Sequence, residues 1–454
     1  MNQCILFRLI AAYFFLSTIG TYAQNSNYKA EISSTAIRSS QDEIPFWLQA
    51  NTGTEFSELT NFSGAINGFY SYDFSNFSLE TGAYVFARDG VEDNIQRRDL
   101  YLQLKNSWLK ITLGSKQWDE AFFGLSTTNQ NYLYSNNARP LPGLLIEANE
   151  PLKLFKGFEL DWGIAHYQLN DERFVDNTRL HYKRVNLIVQ LSEKSRVTAG
   201  IQHFVQWAGT SPRFGELKSD IGAYWNVFIA NKTTELGVEG EIQNAVGNHL
   251  GSFLFKYDFT STSGDFSFYH EHPFEDGSGT RFQNFPDGVW GLTYKPNSNR
   301  FIKAILYEYV DTRSQSNTRT NNRTDGYFGN LVYNSGWSYE QNIIGNPFFK
   351  RVRNNDGVLS TGSFEGTRFQ VHHLGVTGEI NSITWNLKAS YSKNLGRFGE
   401  AEFETPKKDF YAAAHLGYTY RKFHNIKLLA GLDLPSYTYN TVAVGISYCY
   451  TFSK

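Results

Sequence analysis

Methionine occurs once and cysteine twice in these 454 residues, and proline is held to 11. Cys4 lies in the extreme N-terminal segment, so a processed chain keeps Cys449 alone and has no intrachain disulfide. No apolar run after residue 23 is long enough for a transmembrane helix. An exported chain of this kind enters a membrane only as a closed β-barrel, where every backbone polar group finds a partner. The net charge of -2, without any basic run, offers nothing to nucleic acid. The helix-forming Leu, Ala and Met content of an ordinary soluble enzyme is also low.

Aromatics take up the difference, at 16% of the chain with 28 Tyr and 37 Phe, while the mean hydropathy is -0.42. That balance favours strand over helix. The first 23 residues read as a signal peptide. Arg8 supplies the charge, LIAAYFFLSTIG (9–20) the short apolar core, and Thr21-Tyr22-Ala23 a small-x-small site before Gln24. No cysteine follows that site to carry a lipid.

From about residue 64 to the end, ten-residue segments alternate large apolar with small or polar residues. Examples are AINGFYSYDF (65–74), FSLETGAYVFA (77–87), FELDWGIAHYQL (158–169), SDIGAYWNVFIA (219–230) and ITWNLKASYSK (383–393). Weaker candidates near 180–190 and 235–243 bring the count to about 18 strands of membrane-spanning length. Short turns such as Ser75-Asn76 and Asn381-Ser382 alternate with long polar stretches. The expected fold is all-β: one antiparallel transmembrane barrel over 24–454, with irregular segments at 24–63, 119–156 and 311–367 able to plug it. Trp118, Trp162, Trp207 and Trp385 fall at strand ends and fit interfacial girdles. A soluble propeller or β-helix is the alternative, but no fixed-period repeat is present. In the last strand Val442, Val444, Ile446, Tyr448, Tyr450 and Phe452 form one face, which is expected to meet lipid. Cys449 belongs to the other, lumen-facing row.

Chemistry-bearing patterns are sparse. His270 and His272 share a strand face beside Glu275 and Asp276, but without a third firm ligand they indicate a hydrogen-bonded network and no metal. His372 and His373 point to opposite faces, and His249 reads as a turn or lumen hydrogen-bonder. No G-x-S-x-G and no matched nucleophile–base pair occurs, so no catalytic residue is assigned. No cofactor is expected.

The non-periodic stretches carry more. PFWLQAN (45–51), YSNNARPLPG (134–143), HFVQWAGTSPRFGE (203–216), VGNHLGSF (246–253) and HPFEDGSG (272–279) stand in order. YEYVDTRSQS (307–316), YNSGWSYEQNIIGNPFF (333–349), HHLGVTGEI (372–380) and YSKNLG (391–396) follow. This ordered set, across nearly the whole mature chain, resembles the capsule-assembly Wzi family, in its diverged branch. The resemblance implies an outer-membrane barrel of a Gram-negative cell, a lectin-like anchor for capsular or exopolysaccharide, and no catalysis. It also implies outer-membrane lipids and the barrel assembly machinery as partners.

The residues are compatible with that reading. Sugars present C–H faces to aromatic rings and hydroxyl rims to amides and carboxylates. Candidate polysaccharide-binding residues are Trp207, Arg213 and Glu216 in one loop, and Trp337, Tyr339, Glu340, Gln341 and Asn346 in another. The competing reading makes the glycines turn residues and the aromatics girdle. A porin or solute channel is the alternative function, because an 18-stranded barrel is wide enough for water unless loops fill it.

Overall fold

The computed structural model describes residues 26–233, 244–275, 279–298, 301–315, 326–353 and 359–453. The expected leader, the candidate strand at 235–243 and Asp276 of the histidine-acid stretch lie outside the described residues. Eighteen antiparallel strands form a single closed barrel. The first nine are β1 (Ser26–Ser39), β2 (Phe62–Asp73), β3 (Ser78–Arg88), β4 (Ile95–Lys105), β5 (Leu109–Ser115), β6 (Gly143–Ala148, resumed at Leu152–Phe155), β7 (Phe158–Leu169), β8 (Thr178–Ser192) and β9 (Ser195–Trp207). The others are β10 (Asn248–Thr260), β11 (Gly264–Phe274), β12 (Gly288–Pro296), β13 (Ala304–Asp311), β14 (Phe369–Ile380), β15 (Ile383–Asn394), β16 (Lys407–Tyr420), β17 (His424–Pro435) and β18 (Thr441–Ser453). Both pieces of β6 pair with β7, so they are one interrupted strand.

Closure joins the two ends of the chain: β1 pairs with β18 from Lys29↔Ser453 to Ser39↔Ala443. Alternation in β18 works as expected. Val442, Val444, Ile446, Tyr448 and Phe452 are exposed on the outer wall, while Ala443 is buried inside. Thr35 Oγ1 donates to Ser447 Oγ at 2.8 Å across the seam, and Cys449 sits half-buried in the same inward row. Outward positions elsewhere, such as Ile66, Leu100, Leu113 and Leu428, are also large, apolar and exposed. No described helix is long and apolar enough to cross a membrane.

The strand number matches the sequence reading, but its membership differs. Ser26–Ser39 lies in the stretch expected to be irregular. Its outward row (Tyr28, Ala30, Ile32, Ser34, Ala36, Arg38) has only two large apolar residues, too thin a signal to read. β6 similarly falls inside 119–156. The expected strand at 219–230 is instead a helix, α2 (Ile221–Ile229). Its odd-numbered apolar residues repeat at i+4 as well as i+2, so the pattern serves both periods. The end signals decide: Asp220 Oδ1 accepts from Ala223 N at 2.9 Å, and Ala230 closes the helix at φ 54°.

The longest connections all lie at one end of the barrel and the two- and three-residue turns at the other. The short turns include 156–157, 193–194 and 381–382; the long loops include 40–61, 116–142, 208–247 and 312–368. Three of these loops fold back into the lumen. Phe46 and Trp47 of α1 (Phe46–Gln49) pack on Phe348 and Tyr411. Tyr132 meets Phe328, and Trp337 meets Phe204 of the wall at 5.3 Å between ring centroids. Trp118, expected in a girdle, is inside and stacks on Tyr134 at 4.4 Å. Trp162 and Trp385 remain on the outward face. Each fully buried aromatic contributes roughly 2–3 kcal/mol, so the loops and the wall share one core.

The inserted loops bring backbone N–H and C=O groups away from water, and the inner wall supplies their partners. One row crosses adjacent strands: Tyr269, Gly291, Glu308, His373, Ser390, Tyr411 and Asp433 are successive register partners. Gly291 leaves room for the Tyr269 ring, because a Cβ there would lie 2.0 Å from it. Tyr269 thereby reaches Glu308 with its hydroxyl. Glu308 also accepts from Thr127 N at 2.7 Å, Thr127 Oγ1 at 2.6 Å and Ser126 Oγ at 2.7 Å. His373 Nε2 lies 2.8 Å from Leu125 O, Trp47 Nε1 donates to Ser390 Oγ at 3.0 Å, and Phe46 N donates to Asp433 at 2.9 Å. Glu308→Ala strands four donors at once and is expected to loosen the 125–131 segment by about 3 kcal/mol or more. Conductance in planar bilayers checks this: wild-type barrels should stay closed and the variant should flicker open. A silent variant with unchanged thermal stability would show that Glu308 does not hold the plug.

Candidate functional site at the barrel mouth

At the long-loop end, Ser338–Tyr339 pairs with Asn342–Ile343, leaving Glu340 and Gln341 as a two-residue hairpin turn. Both have left-handed backbones, at φ 47° and 62°. Such turns normally take Asn-Gly, and a larger L-residue there carries about 1–2 kcal/mol of strain. Surrounding contacts hold it in place. Glu340 N donates to Asp171 Oδ2 at 3.0 Å, Asn342 Nδ2 donates to Glu340 O at 2.7 Å, and Arg139 pairs with the Glu340 carboxylate. Arg173 is buried, pairs with Asp171 at 2.9 Å and donates to Ser338 O at 3.2 Å. Burial lifts the Glu340 carboxyl above its ordinary pKa, and Arg139 opposes that rise. The mouth thus gathers a carboxylate, an exposed amide and the largely covered guanidinium of Arg139 on a fixed backbone. Such a set exchanges hydrogen bonds with sugar hydroxyls.

The predicted residues separate into distinct roles. Trp337, Tyr339 and Asn346 are fully buried. Trp337 Nε1 donates to Leu133 O at 2.6 Å, Tyr339 donates to Asn170 Oδ1 at 2.7 Å, and Asn346 Oδ1 accepts from Phe348 N at 3.0 Å. All three build the plug. Glu340 and Gln341 reach the surface above them. Arg213 and Glu216 are exposed on a separate ribbon, Thr210–Ser211 against Gly215–Glu216. Trp207 is apart from both groups, on the outer wall beneath α2 and almost wholly covered. Arg139, Asp171 and Arg173 were missed. Arg139 lies inside YSNNARPLPG, but nothing in a single sequence ties it to a hairpin 200 positions away.

The histidines divide between the two faces. His373 belongs to the inner row, whereas His372 faces out and bonds with the Tyr307 hydroxyl at 2.8 Å. His270 and His272 also face out, stacked on Trp290 and Phe282 at 3.7 and 4.7 Å. His249, read as a turn or lumen residue, is on the outer wall with Nδ1 3.0 Å from His203 Nε2. Among the described residues no three His, Cys, Asp or Glu side chains converge on a metal position. Beneath the plug, a cavity of about 410 Å³ is lined by Trp118, Tyr134 and Tyr167 together with charged wall residues. Those charges form a ladder: Lys110 and Arg184 each pair with Glu147 at 2.8 Å, and Arg184 pairs with Asp161 at 3.1 Å.

Comparison with solved structures places this geometry among outer-membrane-type barrels. Wzi of Escherichia coli is an outer-membrane protein involved in group 1 capsule assembly and a carbohydrate-binding β-barrel. It aligns with 98% of this chain and 87% of its own at a TM-score of 0.63 and 13% identity. OccK5 (OpdH) of Pseudomonas aeruginosa aligns at a TM-score of 0.50 and 10% identity, over 95% of this chain and 99% of its own. OccAB4 of Acinetobacter baumannii aligns at 0.50 and 9%, over 96% and 100%. At these identities the likeness is one of fold. No curated protein matches the chain. The family model for the capsule assembly protein Wzi matches residues 22–356, well over half of the sequence, and the chain belongs to that family.

Proposed function

We propose that this protein anchors or assembles capsular or exopolysaccharide at the surface of the outer membrane, by binding without turnover. The plugged lumen carries the reading: with aromatic core filling the long-loop half, the mouth is a binding surface and no longer a passage. The family assignment and the likeness to a carbohydrate-binding barrel support the same conclusion. Glu340, Gln341 and Arg139 supply hydroxyl-directed contacts at the mouth, and Arg213 and Glu216 extend the polar rim. Each contact is weak, but a polymer engages many barrels at once, so avidity makes retention strong.

Deleting the chain from its host should shift polysaccharide from the cell-bound to the released fraction, with total synthesis unchanged. Equal retention in the deletion strain would defeat the proposal. A finer test separates the hairpin's shape from its side chains. Gln341→Gly relieves left-handed strain and should leave thermal stability equal or higher by about 1 kcal/mol. The same variant should bind purified polysaccharide several-fold more weakly. Undiminished binding would remove Gln341 from the contact surface.

A further inference from the structure

Helix α2 lies on the outside of the barrel. Ala223, Tyr224 and Val227 pack on Val205 and Trp207, whose side chains point outward from β9. Two cations of β8 fasten its ends: Arg179 donates to Ser219 O at 3.3 Å just before the helix, and Lys183 Nζ donates to Phe228 O near its end. A nine-residue helix is about 13 Å long, and the four-residue step from Arg179 to Lys183 along a strand is also about 13 Å. The helix therefore runs down the wall from the long-loop end. Its other face carries Ile221, Trp225 and Ile229 at i, i+4 and i+8, exposed by 83%, 59% and 49%. That apolar stripe continues the lipid-facing wall, where the outward Val185, Leu187 and Ile201 of the same strands are also exposed.

At the top of the stripe is a pocket of about 330 Å³, lined by His166, Arg179, Trp207, Ser219, Asp220 and Tyr224. Arg179 lies 5.3 Å from the centre of the Trp207 ring. Trp207 is buried, and its indole Nε1 has no hydrogen-bond partner among the described residues, an omission that ordinarily costs stability. The acidic lining residue, Asp220, has Oδ1 engaged by Ala223 N. A guanidinium, an unused indole donor and aromatic faces at the boundary of an apolar wall match one kind of occupant.

We propose that this pocket and the α2 stripe hold one outer-leaflet glycolipid. The anionic phosphosugar headgroup sits against Arg179 and Trp207, and the acyl chains lie along Ile221, Trp225 and Ile229. The site is outside the barrel, separate from the mouth, and does not depend on the polysaccharide reading. It accounts for an aromatic-lined loop folded down the wall instead of standing in solvent.

Native mass spectrometry of the full chain in detergent micelles tests this, using an acylated diglucosamine bisphosphate as the probe. Its dephosphorylated form and inorganic phosphate serve as the other arms. The wild-type barrel should retain the phosphorylated lipid at least ten-fold better than the dephosphorylated one. Arg179→Gln should remove that preference, with heat-modifiable mobility on gels confirming a folded barrel. Trp207→Phe keeps the ring but deletes the donor, and should weaken retention several-fold should Arg179→Gln not fold. Ile221→Ser with Trp225→Ser should weaken both lipids alike. Equal retention of the two lipids, or of the phosphorylated lipid by wild type and Trp207→Phe, overturns the proposal. So does displacement of the lipid by inorganic phosphate alone at low millimolar concentration, which would mark a simple anion site.

Discussion

The structure depends on the acceptors that the inner wall offers to loops brought into the lumen. An irregular segment inside a barrel has no ladder of its own, so each N–H must be met by the wall or by another loop. Glu308, Ser390 and Asp433 of one register row accept from them, His373 of the same row donates to Leu125 O, and Glu271 extends the seat by accepting from Tyr132 N at 2.8 Å. Asp287, at the long-loop end, repeats the device for another segment: it accepts from Ser314 N and Gln315 N at 2.8 and 2.7 Å. Burial there pushes its carboxyl up to about 7. The aromatic core then packs over a frame whose positions these bonds have already set. Hydrophobic burial gives the plug its stability, and the wall acceptors give it its register.

This division explains the different character of the two halves of the lumen. Where loops enter, inward Tyr, Phe, Leu and Val stand among the polar wall partners, and the loops bring matching apolar surface. Towards the short turns none of the described loop residues descends, and inward residues are paired charges such as Glu31 with Lys29 and Asp258 with Arg196 and Lys256. Charges at such positions keep their hydration and cross-link neighbouring strands. The inward row of a strand therefore changes chemistry partway along, as in β9, where the ion-paired Arg196 near the short turn gives way to the buried Phe204.

Much of the fold was readable because the wall obeys a two-residue period set by lipid on one side. β18 is the clearest case, since all six of its outward positions are large. β1 escaped because small residues fill half of its outward row, and its place is set by pairing with a strand more than 400 residues away. α2 was misread because an apolar residue at every second position also recurs at every fourth. The site was legible to a smaller degree. YNSGWSYEQNIIGNPFF was marked as a ligand-contacting stretch, but the sequence could not separate residues that hold the hairpin from those that present it. Trp337, Tyr339 and Asn346 resemble ligand-binding residues by type, and only packing shows that they are buried. Arg139 and Asp171 enter the site from loops far away in sequence, and no local period records that meeting.

The hairpin tip gives the sharpest case of structure working against local preference. Two consecutive left-handed residues at the tip favour Asn-Gly, yet the chain places Glu340 and Gln341 there. Their strain is offset by Asp171, Arg139 and the buried Tyr339 beneath them. A turn retained only for connection would gain by relaxing to glycine. Strain held by several partners instead points to the side chains themselves. Gln341 projects into solvent while its backbone is fixed by neighbours, so on the proposed reading a ligand contact there would cost little further conformational entropy. Rigid placement of this kind would then let a weak amide–hydroxyl contact count fully at each repeat of a polymer.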